Sequence, residues 1–293
     1  MLDFRIKTFL SVCRNRSFTA AALELHITQP AVSQHIRYLE QAYQCSLFRR
    51  DGKKIALTPA GEILLHTMTT HQNDEQAMIR CMKKAGGARR QLVFGVTLTI
   101  GEYALVPSLA RYLKANPETD LRLRCGNTRD LLDQLRGGEI DFALVEGDYP
   151  SQDFEAMVDR TEDYIPVCAA GHVFQREVHT LRDLLPERLL AREPGSGTRE
   201  ILEKNLAVHN LQITDFAHLA EVENMHTLVR LLTEDCGIAF LYQAAVQQEL
   251  EQGVVKRIPL PDFRMQHDFT FLWNKGSSFS EEYRAVCGQL RSR

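Results

Sequence analysis

Thr28-Gln29-Pro30-Ala31-Val32-Ser33-Gln34-His35-Ile36-Arg37-Tyr38-Leu39-Glu40-Gln41-Ala42-Tyr43 reads as a helix with two unlike faces. Thr28 can cap it, and Pro30 falls in the first turn, where a missing N–H costs nothing. Val32, Ile36, Leu39 and Tyr43 recur at i, i+4, i+7 and i+11, an apolar stripe that packs inward. Gln29, Ser33 and Arg37 share another face, with Gln34 beside them. Amides suit adenine edges and guanidinium suits guanine, so the end of the helix that carries Gln29, Pro30, Ser33, Gln34 and Arg37 is read as DNA-binding.

The neighbouring residues support this. Upstream, Leu2, Ile6, Phe9, Leu10 and Cys13 line one face of a first helix. Ser17 then caps a second helix rich in small residues, Thr19-Ala20-Ala21-Ala22-Leu23. A short break at His26-Ile27 separates it from the third, which is the helix-turn-helix layout. Downstream, Phe48 to Leu57 contains Asp51-Gly52, a hairpin signal, flanked by Arg49, Arg50, Lys53 and Lys54. A basic hairpin alone is usually a solvated turn. Beside a helix pair it becomes a wing whose cations serve phosphates.

Charge is partitioned accordingly. Net charge is only −3, but residues 1–90 hold 14 Lys and Arg against 7 Asp and Glu, and the remainder holds 21 against 31. A front end of +7 on a body of −10 points to a polyanion partner for the front end, with a solvated helical surface as the plain alternative. Hydrophobic content of 44% and charged content of 25% are ordinary for a globular chain. No apolar run is long enough to span a bilayer, and the start carries no secretory pattern. Seven cysteines without a CxxC pair then imply reduced thiols in a cytoplasm.

Thr58-Pro59-Ala60-Gly61-Glu62 opens a long helix running to about Ala85. Leu64, Met68, His71, Glu75, Met78 and Met82 follow a 4-3 spacing, an imperfect dimerisation seam. The alternative is a helix packed on its own domain. Gly86-Gly87 ends it. Strand and helix patterns then alternate: strand 91–96, helix 103–114, strand 121–125, helix 128–136 and strand 140–145. Weaker strands follow at 164–169, 188–191, 237–241 and 268–273, with helices at 223–232 and 279–290. This is an α/β body of two similar lobes. The expected division is 1–58 for the winged helix-turn-helix, 59–87 for the linker helix and 88–293 for the body. Lobe I would take about 91–161 and 268–293, and lobe II about 162–267.

In open α/β sheets ligands sit beyond the carboxyl ends of strands. Those ends carry Thr97, Thr99 and Ile100, then Asn127 and Thr128, then Glu146 in lobe I. In lobe II they carry Ser196, Thr198, Arg199 and Asn224. Hydroxyls, an amide and helix N-terminal N–H groups suit a small anion. Glu146 opposes a purely anion-lined pocket unless it meets an ammonium or a hydroxyl. The threonines could equally be simple caps, and Arg199 could pair with a surface carboxylate.

The sequence resembles the LysR-type transcriptional regulators. The matching words are Ser17-Phe18-Thr19-Ala20-Ala21-Ala22, Thr28 to Ser33, Ile36-Arg37-Tyr38-Leu39-Glu40, Leu47-Phe48-Arg49-Arg50 and Leu57-Thr58-Pro59-Ala60-Gly61, in family order and spacing. Gly95 to Tyr103, Gly126-Asn127-Thr128 and Arg192 to Arg199 resemble the branch of sulfur- and carbon-assimilation regulators. The resemblance implies a periplasmic-binding-protein-like sensing domain, a small-molecule effector between its lobes, homotetramers built as dimers of dimers, and contact with RNA polymerase if the protein activates. No cofactor is expected, and no metal, since the ten histidines are scattered without metal-like spacing. Asp235-Cys236 before Gly237, Cys168 and Tyr242-Gln243 depart from the pattern. An enzyme is disfavoured, since no GxSxG, HExxH, P-loop or GxGxxG occurs. A solute-binding protein would leave the front end unexplained. A ligand-independent or redox-modulated regulator is the alternative within the same class.

Overall fold

Asp3 starts the first helix: its carboxylate accepts from Arg5 N at 2.8 Å and caps α1 (Phe4–Asn15). The computed structural model describes residues 3–51, 54–87 and 89–292, with no side-chain description at 50, 51, 54 and 84. Ser17 caps α2 (Phe18–Glu24) through Ala20 N. His26, at φ 55°, makes the tight turn. Thr28 then caps α3 (Gln29–Tyr43) through Ala31 N. Ile6, Phe9, Leu10, Ala21, Ala22, Val32, Ile36 and Leu39 are buried together. Tyr43 is 49% exposed, contrary to the inward stripe expected of it. It is the last residue of α3, where the helix has already left the three-helix core. β1 (Phe48–Asp51) and β2 (Lys54–Leu57) pair antiparallel from Phe48↔Leu57 to Asp51↔Lys54. Leu2, Gly52 and Lys53 lie outside the described residues, as do the side chains of Arg50 and Lys54.

The long helix α4 (Pro59–Ala85) starts at Thr58, whose hydroxyl accepts from Gly61 N at 3.0 Å. Its two halves belong to different cores. Leu64 is buried in the N-terminal cluster and Met68 packs against it, so these two do not sit on a free seam as the 4-3 spacing expected. Further along, Asn73 and Ala77 are buried against the body. Asn73 Nδ2 donates to Leu135 O at 2.8 Å, and Arg80 pairs with Asp141. Ile63, Met78, Ile79 and Met82 remain exposed.

The body opens β3 (Arg90–Thr97), a π-helical turn Ile100–Ala104, α5 (Val106–Ala115), β4 (Thr119–Gly126), α6 (Thr128–Arg136) and β5 (Phe142–Val145). The sequence pattern expects one helix from 103. A π turn ends at Ala104 instead, and α5 restarts at Val106 with Pro107 in its first turn. β6 (Phe154–Ala169) follows, then β7 (Arg188–Ala191), α7 (Gly197–Val208), β8 (His218–Glu221), α8 (Met225–Thr233), β9 (Ile238–Tyr242), α9 (Gln243–Glu251), β10 (Val255–Arg257), β11 (Met265–Asn274) and α10 (Ser280–Leu290). Among the described residues these strands form one nine-stranded sheet, β4-β3-β5-β11-β6-β9-β7-β8, with β10 beside β6. β3 pairs in parallel with β4 and β5, and β7 with β8 and β9. These are two parallel lobes joined by the antiparallel pair β6 and β11, which runs from Met265↔Tyr164 to Asn274↔Phe154 with a register shift between Phe269 and Thr270. The outer half of β6, 154–163, buries only Phe154 and Asp159 and leaves its other residues, several of them charged, half-buried or exposed. That pattern hides its strand character from a search for apolar runs, which finds only 164–169.

Candidate functional site

Two places gather the residues singled out in the sequence. The first is the outer face of α3. Gln29, Pro30, Gln34 and Arg37 are exposed, while Val32, Ile36 and Leu39 hold the opposite face in the core. Gln29 Nε2 donates to Ser33 Oγ at 2.9 Å, which orders the first polar turn. Behind this face His35 stands edge-on to Phe4 and meets Thr8 Oγ1 at 3.0 Å. Arg5 stacks 3.7 Å over the Tyr38 ring. The face is thus polar outward and packed behind. Arg49 is exposed on the wing, its Nε donating to Leu57 O at 3.4 Å.

The second is the junction of the lobes. β3, β5 and α7 bring Thr97, Thr99, Glu146 and Thr198 together, all buried. Thr97 Oγ1 donates to Glu146 Oε2 at 2.5 Å. Thr99 and Thr198 donate to Oε1 at 2.9 and 3.0 Å. Thr128 Oγ1 donates to Glu146 O at 2.7 Å. From lobe II, Tyr164 Oη donates to Thr198 O at 2.9 Å. Full burial raises the Glu146 carboxyl above its ordinary value, against the pull of these hydroxyls and of Arg192. The same burial, with Glu146 nearby, holds Tyr164 and Tyr242 well above the usual phenol range.

Close backbone approach explains the glycines here. A Cβ on Gly197 would meet Glu146 O at 2.3 Å, and one on Gly147, whose φ is +95°, would meet Gly197 Cα at 2.7 Å. The lobes therefore touch backbone to backbone here, while within lobe II the cavity beside Tyr164, Arg192 and Thr198 is about 10 Å³. That is room for about one water.

The remaining sequence-derived candidates separate. Ile100 is buried in the π turn. Asn127 caps α6 through Asp130 N at 2.9 Å. Asn224 is exposed and caps α8 through Thr227 N at 2.8 Å. Ser196 precedes α7, buried and without a capping bond. Arg199 binds the carboxylates of Glu203 and Glu221 at 2.7 and 2.6 Å, the surface pairing that was its plain alternative.

Sequence reasoning missed Arg192. It is 2% exposed, forks onto Glu193 through Nε and Nη2 at 2.9 and 3.0 Å, and leaves Nη1 without a partner among the described residues. It follows β7 directly, so the strand-end rule that chose Thr97 and Thr128 would also have found it. Burial holds the Cys168 thiol at about 11 and the Cys13 thiol at about 12, which leaves little thiolate for redox chemistry at either.

Among the described residues no helix is long and apolar enough to cross a membrane. Residues 5–62 match the bacterial regulatory helix-turn-helix protein, lysR family, and residues 85–293 match the LysR substrate binding domain. The HTH-type transcriptional regulator CysL of Bacillus subtilis is 28% identical over 270 residues, 91% of this chain and 89% of CysL. The HTH-type transcriptional regulator CbbR of Rhodospirillum rubrum is 28% identical over 293 residues, 98% of this chain and 95% of CbbR. Both agree with the branch that the sequence resembles, and both are regulators rather than enzymes. The crystal structure of ArgP from Mycobacterium tuberculosis superposes with a TM-score of 0.65 at 18% identity, covering 99% of this chain and 96% of ArgP, so the whole architecture is shared. The chain belongs to the LysR family, as a DNA-binding transcriptional regulator that joins a helix-turn-helix to an effector-binding domain.

Proposed function

We propose that this regulator reads promoter DNA with Gln29, Ser33, Gln34 and Arg37 against base edges, Pro30 shaping the docking turn. Arg49, Arg50, Lys53 and Lys54 serve phosphates. Its output is set by a small anionic effector between the lobes. It acts in the cytoplasm as a dimer of dimers assembled through α4, and contacts RNA polymerase where it activates. The observation that carries the effector reading is the orphaned Nη1 of Arg192, a buried cation at the mouth of the junction between α7 and β7. A buried charged donor left unmatched is costly, and an arriving carboxylate or phosphate oxygen repays it. With Gly147 packed backbone to backbone on Gly197, an effector enters only when the lobes part. It shifts the balance by favouring the parted arrangement.

Footprinting the full chain on the DNA flanking its own gene tests this, with small carboxylates, phosphates and inorganic oxyanions added in turn. The expected result is a footprint that changes with one of them without loss of binding. Arg192→Met should bind DNA normally and lose that response. A response equal to the parent's would remove Arg192 from the effector site.

A further inference from the structure

The hydroxyls that the strand-end rule assigns to an anion are not waiting for one. Thr97, Thr99 and Thr198 each donate to a single carboxylate, that of Glu146, in a buried cradle closed by Gly147 against Gly197. Two of the donors belong to lobe I and the third to the first turn of α7 in lobe II. Glu146 itself extends from the end of β5, tied at its backbone by Thr128. A carboxylate accepting three hydroxyls at 2.5–3.0 Å has the chemistry of a bound oxyanion, except that it is covalently attached. Attachment gives it an effective concentration that a free ion in solution does not reach.

We infer that Glu146 is a tethered ligand: its carboxylate fills the inter-lobe oxyanion cradle, fastens lobe I to lobe II without an effector, and excludes small free oxyanions from those hydroxyls. Glu146 is then a specificity-determining residue. The effector of this chain must either use contacts other than the threonine hydroxyls or displace a side chain already seated on them. The inference rests on the reading of the inter-lobe junction as the effector site, but its test needs neither DNA nor an effector.

The test is chemical rescue in the full chain, read by thermal unfolding. Glu146→Ala removes the carboxylate and leaves its cradle. It should unfold several degrees below the parent. Acetate should recover at least half of that loss in a saturable manner, whereas chloride at equal ionic strength should not. The parent, whose cradle is filled, should shift with acetate by less than about a quarter of the variant's recovery. Adding Thr99→Val and Thr198→Val to Glu146→Ala should abolish the rescue, because the donors are gone. Absence of rescue, or an equal acetate response in the parent, overturns the inference. Should Glu146→Ala not fold, Glu146→Ser carries the same test with formate by calorimetry. Binding at least tenfold tighter than to the parent supports the tethered ligand, and equal binding overturns it. Failure here would leave the proposed effector role of Arg192 standing, since that is read by the footprint.

Discussion

Thr99 shows how much one hydroxyl decides. Its Oγ1 is one of three donors that hold a fully buried carboxylate. Thr99→Val keeps the volume and leaves Glu146 short of a partner, so it should lower the stability of the full chain by about 1–3 kcal/mol in chemical denaturation. The pH dependence has a definite sign. Because burial raises the folded Glu146 pKa above 4.5, the native state binds more protons than the unfolded chain between 4.5 and that raised value. Stability contributed at this site therefore falls as pH rises through the window. Melting curves of the parent and Glu146→Gln should converge as pH is lowered toward 4.5 and separate as it rises. Curves that stay parallel would show that Glu146 does not titrate there. On the reading face, Arg37→Ala should cost about 1–3 kcal/mol at one base position of the specific site and little on random DNA. Equal losses on both would make Arg37 a phosphate contact.

At the scale of elements, α4 was legible as a long capped helix but not as a helix shared between two cores. Leu64 and Met68 fit a 4-3 seam equally well whether they meet a second copy or their own domain. Only the fold reveals that they join the N-terminal core, where α4 packs on α1. Asn73 and Arg80 gave no signal at all, because their partners, Leu135 O and Asp141, lie more than sixty residues away. The inter-lobe site divides similarly. Strand ends identified Thr97, Thr99, Thr128 and Thr198, but no spacing rule says that Glu146 would turn back onto three of them. Two expectations follow for α4. Gly138 has φ +69°, and a Cβ there would lie 1.9 Å from Asn73 Oδ1. Gly138→Ala should therefore destabilise the docking of α4 by about 1–3 kcal/mol, seen as a separate, earlier unfolding step for the N-terminal domain. Met78 and Met82 belong to the exposed apolar surface of α4, with Ile63 and Ile79, that is left for self-association. Met78→Glu with Met82→Glu should weaken the proposed dimer of the full chain at least about tenfold by sedimentation, or roughly 1.4 kcal/mol. An unchanged association constant would place the dimer contact elsewhere.

In the whole molecule, two of the joints between the lobes differ in kind. One is the paired crossing of β6 and β11, with its register shift at Phe269 and Thr270. The other is the Glu146 cradle and the Gly147–Gly197 contact. The first can bend, and the second must separate if the lobes are to part. The attachment of α4 has a further consequence. Its first half is embedded in the N-terminal core, and its second half is fixed to lobe I through Leu135 and Asp141. Through these contacts α4 ties the reading head to lobe I, while among the described residues its second half makes no such bond to lobe II. Within one chain, opening the cleft is therefore expected to leave the aim of α3 relative to lobe I unchanged. It would carry the outer surface of lobe II through an arc, to be felt by whatever neighbouring subunit leans on it. Paired spin labels on α3 and α6 should keep their separation when the effector binds, while a pair on α6 and α8 should move apart.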